Sequence, residues 1–244
     1  MRNALVVGGA NGIGLAIASE LAARSDVEKV IIVDKSPIDE RYLDSKFEYH
    51  QFDLTSEDYS LFENFKDVDT LMITAGMGRL ALFRDVTEEH IIRSFQVNTL
   101  SVIRIIKHFY DKLERQGDFY CGVMVSIAGF MSSPFFAVYG ATKAALKIFI
   151  ESVNVELEKA GTTNRILNVS PGSIKGTSFY AGETDLSALK ALTLDVIGNL
   201  ETKNDLYIPQ YDSIFREVLQ RYHNDFRAEG AHSYDYKLNS GRVK

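Results

Sequence analysis

Very little in this chain points toward metal, disulfide or nucleic-acid chemistry. A single cysteine, Cys121, cannot form an internal disulfide, and the five histidines (His50, His90, His108, His223 and His232) are scattered without zinc-ligand spacing. No metal site is expected, and Cys121 reads as a small residue leading into a strand. Lys and Arg total 27 against 33 Asp and Glu, a net charge of -6, and no basic block interrupts that balance. Such a surface repels a phosphate backbone, so nucleic acid is not an expected partner. No apolar run reaches the ~18 residues of a membrane-spanning helix, and no membrane association is expected. Met1-Arg2-Asn3 leads straight into Ala4-Leu5-Val6-Val7 and then glycines, which leaves no room for a signal peptide; the expectation is a cytoplasmic protein. Repeats, low-complexity tracts and Pro/Gly-rich linkers are missing too. With 244 residues, 45% of them apolar, one compact domain over 1–244 is expected.

What is present is an alternation of two patterns. Short apolar runs rich in β-formers occur at 4–7, 30–33, 47–52, 70–73, 123–125 and 166–169. Unlike half-exposed strands they do not alternate apolar with polar, which is what parallel strands covered on both faces require. Between them lie helix-like segments at 13–24, 56–65, 88–116 and 138–159. Strand and helix in turn predict right-handed βαβ units in a doubly wound parallel sheet, a three-layer α/β Rossmann-type fold. Its cofactor half is expected over about 1–125 and its catalytic half over about 126–244. After Pro171 the pattern predicts helices over 185–200 and 212–222. The tail from His232, with Tyr234, Tyr236 and Leu238 alternating, predicts an edge strand.

Two motifs carry chemistry. The first strand ends in Gly8-Gly9-Ala10-Asn11-Gly12-Ile13-Gly14, where a tight turn opens a helix. Glycine lets the backbone approach a ligand closely, and the positive helix end favours a pyrophosphate. Twenty residues after Gly14, the second strand ends in Asp34. A carboxylate there accepts the ribose hydroxyls of NAD and repels the 2′-phosphate of NADP, so NAD is expected over NADP; Lys35 beside it partly offsets that repulsion. The second motif is Tyr139-Gly-Ala-Thr-Lys143. Residues i and i+4 share a helix face, and a cation beside a phenol lowers its pKa from about 10 toward useful proton transfer. Ser126 lies 13 residues upstream. Taken singly, each motif is equally a plain turn or a surface helix pair; their order along the chain raises their value.

Over roughly residues 3–177 the sequence resembles the short-chain dehydrogenase/reductase family. Gly8, Gly12 and Gly14 match its glycine turn, with Val7 in place of a threonine. Asp53-Leu54 resembles the pair that contacts adenine. Thr74-Ala75-Gly76 resembles an Asn-Ala-Gly segment with Thr74 replacing asparagine. Asn98 matches a helix asparagine, and Ser126, Tyr139 and Lys143 match the catalytic trio in identity and spacing. Pro171-Gly172-Ser173-Ile174 resembles the loop that touches the nicotinamide carboxamide, with Thr177 one residue later than usual.

The resemblance implies a role for each residue. Tyr139 exchanges the proton with the substrate oxygen while the cofactor carries hydride. Lys143 lowers the phenol's pKa and holds the nicotinamide ribose. Ser126 hydrogen-bonds the substrate oxygen, and Asn98 anchors a water that links Lys143 to solvent. Met77, Phe130, Met131, Phe135, Phe136, Phe179 and Tyr180 suggest an apolar pocket. Leu186, Leu189, Leu192 and Ile197 suggest a helical lid over 178–210, hence a lipophilic secondary alcohol or ketone as substrate. Ile91, Phe95, Val102, Ile106, Phe149 and Val153 exceed one core-facing stripe, so a homodimer is expected ahead of a homotetramer. Two other functions remain open: a non-catalytic NAD-binding regulatory module, and an epimerase or lyase on the same scaffold.

Overall fold

The computed structural model describes every residue except Ser178, Tyr180, Ala181, Gly182, Arg242 and Lys244. Seven parallel strands form one sheet in the order β3-β2-β1-β4-β5-β6-β7: β1 Asn3–Val7, β2 Lys29–Asp34, β3 Phe47–Gln51, β4 Thr70–Ile73, β5 Tyr120–Met124, β6 Ile166–Val169 and β7 Leu206–Tyr207. Successive side chains point to opposite faces, and both faces of the central strands are covered. Leu5 and Val7 with Leu71 and Ile73 face helices α3 (Ser101–His108) and α5 (Ala137–Lys159) through Val102, Ile105, Leu146 and Ile150. Ala4 and Val6 with Met72 face α1 (Gly12–Ala22) and α6 (Leu186–Glu201) through Leu15, Ile17, Val196 and Leu200. Strand order reverses between β1 and β4, and in such sheets the crevice outside the strand ends at that point is where ligands bind.

Several expectations are corrected. The stretch 56–65 forms no α-helix: an irregular segment leads into a short 3-10 turn at Ser60–Asn64 that lays Phe62 into the core. The single helix expected over 88–116 is three: α2 Glu88–Phe95, α3, and α4 Tyr110–Glu114, with a π turn at Gln96–Leu100 joining the first two. The edge strand is β7, not the tail. Residues 226–239 form α8 (Phe226–Asn239), started by Asp225, whose carboxylate caps the N–H groups of Arg227 and Ala228. The alternation at 234–238 marks no buried face, since Tyr236 and Leu238 are exposed. Helix α7 (Arg216–Asn224) precedes α8.

The expected lid is also corrected where it is described. Leu189 and Ile197 are buried, and Ile197, with Leu186 and Leu192 packed against it, belongs to the core layer of α1 and α6. That hydrophobic spacing marks core packing. Val102, Ile106 and Val153 likewise point into the core instead of toward a partner, while Ile92, Leu100, Ile148 and Val155 are the exposed apolar residues of α2, the π turn and α5. Tyr180 and part of the tail lie outside the described residues. Among the described residues no helix is long and apolar enough to cross a membrane.

Candidate active site

The crevice at the strand-order reversal opens into a cleft of about 870 Å³ that runs from the end of β2 to α8. At its centre Gly8, at φ 83°, lies so close to the chain leaving β4 that a Cβ on it would come within 2.5 Å of the Ala75 nitrogen. Only glycine fits there. Thr74, in place of the expected asparagine, braces the same spot by sharing its hydroxyl proton between the carbonyls of Val7 and Gly8 at 3.1 and 3.0 Å. Asn11, Gly12, Ile13 and Gly14 continue along the cleft wall as the start of α1. The Gly12 N–H, at the positive end of α1, donates to Thr184 Oγ1 at 2.9 Å, and the Thr184 carbonyl accepts from the Tyr42 hydroxyl at 3.2 Å. The turn thus already takes up an oxygen acceptor, as a phosphate would require.

Asp34 ends β2 at the rim of this region. Its two carboxylate oxygens accept from Ala10 N at 3.0 Å and Ser36 N at 3.1 Å, tying the glycine turn to the neighbouring strand. Asp53, Leu54, Ala75 and Gly76 line the same wall. Hydrogen bonds from Thr55 hold the Asp53 carboxyl below its usual range and fix a turn. Arg93 and Phe52 join them, although the motifs gave no sign of either. Pro171, Gly172 and Ile174 form the opposite wall, with Thr177. The glycine cradle, the helix end and the terminal carboxylate of β2 together fit a nicotinamide dinucleotide.

Farther along, Ser126, Tyr139 and Lys143 meet at the end of β5. Ser126 lies one residue beyond that strand and caps the turn Ile127–Gly129, its hydroxyl accepting from Ala128 N at 3.1 Å. Gly129 lets this turn rest on the backbone of α5, where a Cβ would stand 2.8 Å from the Lys143 carbonyl. Because α5 is held that close, the Tyr139 phenol stands beside Ser126 in the cleft. Lys143 is buried and donates to the Met124 carbonyl at 2.8 Å, with its nitrogen 5.7 Å from the Tyr139 ring centre.

These surroundings reverse one expectation. Burial pushes the Tyr139 phenol up to about 12, opposed in part by the neighbouring Ser126 hydroxyl, and burial pulls the Lys143 ammonium down to about 7. Removing both groups from water disfavours both charged forms, and that outweighs the attraction expected between them. Asn98 sits in the π turn, fully buried and behind the cleft wall. Its carboxamide accepts from Met77 N and donates to Met77 O, both at 2.8 Å, and reaches Thr142 Oγ1 at 3.1 Å. It therefore clamps the segment after β4 to α5, and the π turn is what aims it inward.

Of the expected apolar residues, Met77, Met131, Phe136 and Phe179 line the cleft. Phe136 and Phe179 flank Tyr139 with ring centres 5.2 and 5.4 Å away. Phe135 instead packs against Tyr234 of α8 at 4.5 Å, and Phe130 lies under Lys147. The remaining wall comes from Ile214, Phe215 and Val218 near α7 and from one face of α8. That face was not legible in the sequence, where the tail from His232 reads as an edge strand.

Residues 2–185 match the short chain dehydrogenase family model. An uncharacterised short-chain type dehydrogenase/reductase of Sinorhizobium fredii is 32% identical over 183 residues, covering 72% of this chain and 71% of the relative. Among solved structures, a short-chain dehydrogenase from Streptomyces avermitilis superposes with TM-score 0.77 at 20% identity, covering 98% of this chain and all of the other. An alcohol dehydrogenase from Thermococcus sibiricus, complexed with 5-hydroxy-NADP, gives TM-score 0.70 at 22% identity, covering 85% of this chain and 95% of that one. Matched by the family model over most of its length, and carrying the glycine turn and the Ser126, Tyr139 and Lys143 cluster on one parallel sheet, the chain belongs to the short-chain dehydrogenase/reductase family of oxidoreductases.

Proposed function

We propose that the protein is an NAD-dependent oxidoreductase that interconverts a secondary alcohol and a ketone, with Tyr139 as general acid and base. The observation that carries this reading is the Tyr139 phenol, set beside Ser126 in the cleft that also holds the glycine turn and Asp34. The dinucleotide, when bound, supplies or accepts the hydride.

This chain's residues handle the proton and the geometry. Pushed up to about 12, the phenol keeps its proton near neutral pH and is poised to give it to a carbonyl oxygen. Ser126 holds that oxygen beside the phenol and offsets charge developing on it. Lys143, at about 7, moves between its charged and neutral forms near neutral pH, and its charged form favours the phenolate needed in the oxidising direction. Met77, Phe136 and Phe179 exclude water around the reacting carbon and favour a substrate with an apolar body. Asp34 favours NAD by repelling a 2′-phosphate, although Lys35 and Arg93 line the same end of the cleft. Two copies meeting on Ile92, Leu100, Ile148 and Val155 are the assembly that accompanies this reading.

Absorbance of the reduced nicotinamide, followed with NAD and a panel of secondary alcohols, tests it. Tyr139→Phe is expected to lower kcat by roughly 10²- to 10⁴-fold while NAD binding is retained. Unchanged turnover in that variant refutes the assignment. NAD binding with no turnover of any alcohol or ketone points instead to the regulatory module.

A further inference from the structure

Helix α8 turns its polar side toward the cleft. Glu229, His232, Ser233, Tyr236 and Lys237 fall at i, i+3, i+4, i+7 and i+8, and all five line the cavity. The one buried residue of the helix is Glu229, 8% exposed, whereas Phe226 and Leu238 are left about half exposed. Packing alone would favour the reverse, because a buried carboxylate costs free energy that a leucine does not. The face also lies close to the reacting centre. Phe136 is 5.2 Å from the Tyr139 ring, and the Lys237 nitrogen is 5.5 Å from the Phe136 ring, so α8 stands one ring beyond the phenol.

Glu229 is ionised and has acceptor capacity left. Hydrogen bonding from Arg221 holds its carboxyl below the usual range. Arg221 Nε donates to Oε2 at 2.6 Å, but Oε1 receives only the longer Nη2 contact at 3.3 Å, and His232 Nδ1 stands 3.7 Å from it. A carboxylate offers about four lone-pair directions, so Oε1 can accept a further hydrogen bond. The hydroxyls of Ser233 and Tyr236 lie one and two turns along the same face.

We propose that Glu229, with Ser233 and Tyr236, recognises a hydrogen-bond donor, a hydroxyl or an ammonium group, at the end of the substrate remote from the reacting carbon. The proposal rests on the oxidoreductase reading and refines its substrate: an apolar body against Met77, Phe136 and Phe179, and a polar end at α8. The competing role for Glu229 is a brace that ties α7 to α8 through Arg221.

The test uses the full chain loaded with NAD and three secondary alcohols of one carbon skeleton, ending in methyl, hydroxyl or ammonium. Turnover is followed by absorbance and binding by ligand-detected NMR. The wild type is expected to favour the hydroxyl and ammonium compounds over the methyl one by roughly 10- to 100-fold in kcat/KM, since a site built to bond a donor rejects the analogue that lacks it. The hydroxyl and ammonium arms tell the two donors apart. E229Q should lose the ammonium preference while still turning over the methyl compound, and R221Q, which keeps the carboxylate, should retain that preference. A wild type that favours the methyl compound overturns the proposal, as do E229Q and R221Q changing all three substrates alike. Should E229Q fail to fold, the wild-type series and R221Q decide. Turnover without donor preference sinks the α8 site and leaves the oxidoreductase reading intact. Donor-selective binding lost in E229Q, with no turnover of any compound, does the opposite.

Discussion

Replacing Lys143 by methionine should remove a pH dependence that this one side chain imposes on the whole fold. Lys143 is 2% exposed, and burial pulls its ammonium from the ordinary 10.5 down to about 7. The folded chain therefore holds this proton more weakly than the unfolded chain does. Below pH 7 both states carry the proton and the full burial cost applies, about 4–5 kcal/mol at 1.36 kcal/mol per pH unit. Between pH 7 and 10.5 only the unfolded state carries it, so the folded state gains with rising pH, by about 3 kcal/mol from pH 7 to 9.5. Methionine has similar length and no charge. Its loss of the hydrogen bond to Met124 O costs about 1 kcal/mol, and that cost does not vary with pH.

K143M should thus exceed the wild type in stability by about 3 kcal/mol at pH 7, roughly 6–12 °C in Tm for a chain of this size, and by almost nothing at pH 9.5. Urea and thermal unfolding of both proteins, followed by circular dichroism across that range, measure the difference. Cys121 and Tyr139, each pushed up to about 12, lower stability at alkaline pH because their unfolded counterparts lose protons first. They act in both proteins and cancel. A difference between the two proteins that stays constant from pH 7 to 9.5 would refute the reasoning, because Lys143 would then hold its proton as firmly folded as unfolded.

Two further outcomes follow from the cofactor end of the cleft. Thr184→Val removes the oxygen that Gly12 N–H now bonds, so the dinucleotide phosphate no longer competes with it. NAD should bind roughly 2- to 10-fold more tightly by calorimetry, the equivalent of about 0.5–1.5 kcal/mol for one net hydrogen bond, and weaker binding would count against the competition. Asp34→Asn keeps an oxygen to accept from Ala10 N or Ser36 N but removes the charge, so the ratio of NAD to NADP efficiency should fall about tenfold; an unchanged ratio would defeat the electrostatic argument.

The core strands and the outline of the site were legible because their signals are local. The continuous apolar runs at 4–7 and 30–33 can only be strands covered on both faces, and they are β1 and β2. The glycine turn and Asp34 read correctly as neighbours, since both follow adjacent parallel strands. Other features depended on residues far away along the chain. The break of 88–116 into three helices was hidden because good helix formers run throughout, and the π turn that aims Asn98 inward leaves no periodic trace. The spacing of Leu189 and Ile197 suits a lid and a core equally; only the packing of α1 against α6 makes Ile197 a core residue.

By itself, then, the order of residues determined a doubly wound parallel sheet, a dinucleotide turn and a tyrosine and lysine on one helix face. Each of these depends on spacing within a few turns of chain, which periodicity reports directly. Tertiary structure alone decided that Lys143 bonds Met124 and loses basicity, that Thr184 caps Gly12 from 172 residues away, and that α8 lays Glu229 into the cleft. Those outcomes depend on burial, which is set by whichever elements pack together and is encoded in no single segment.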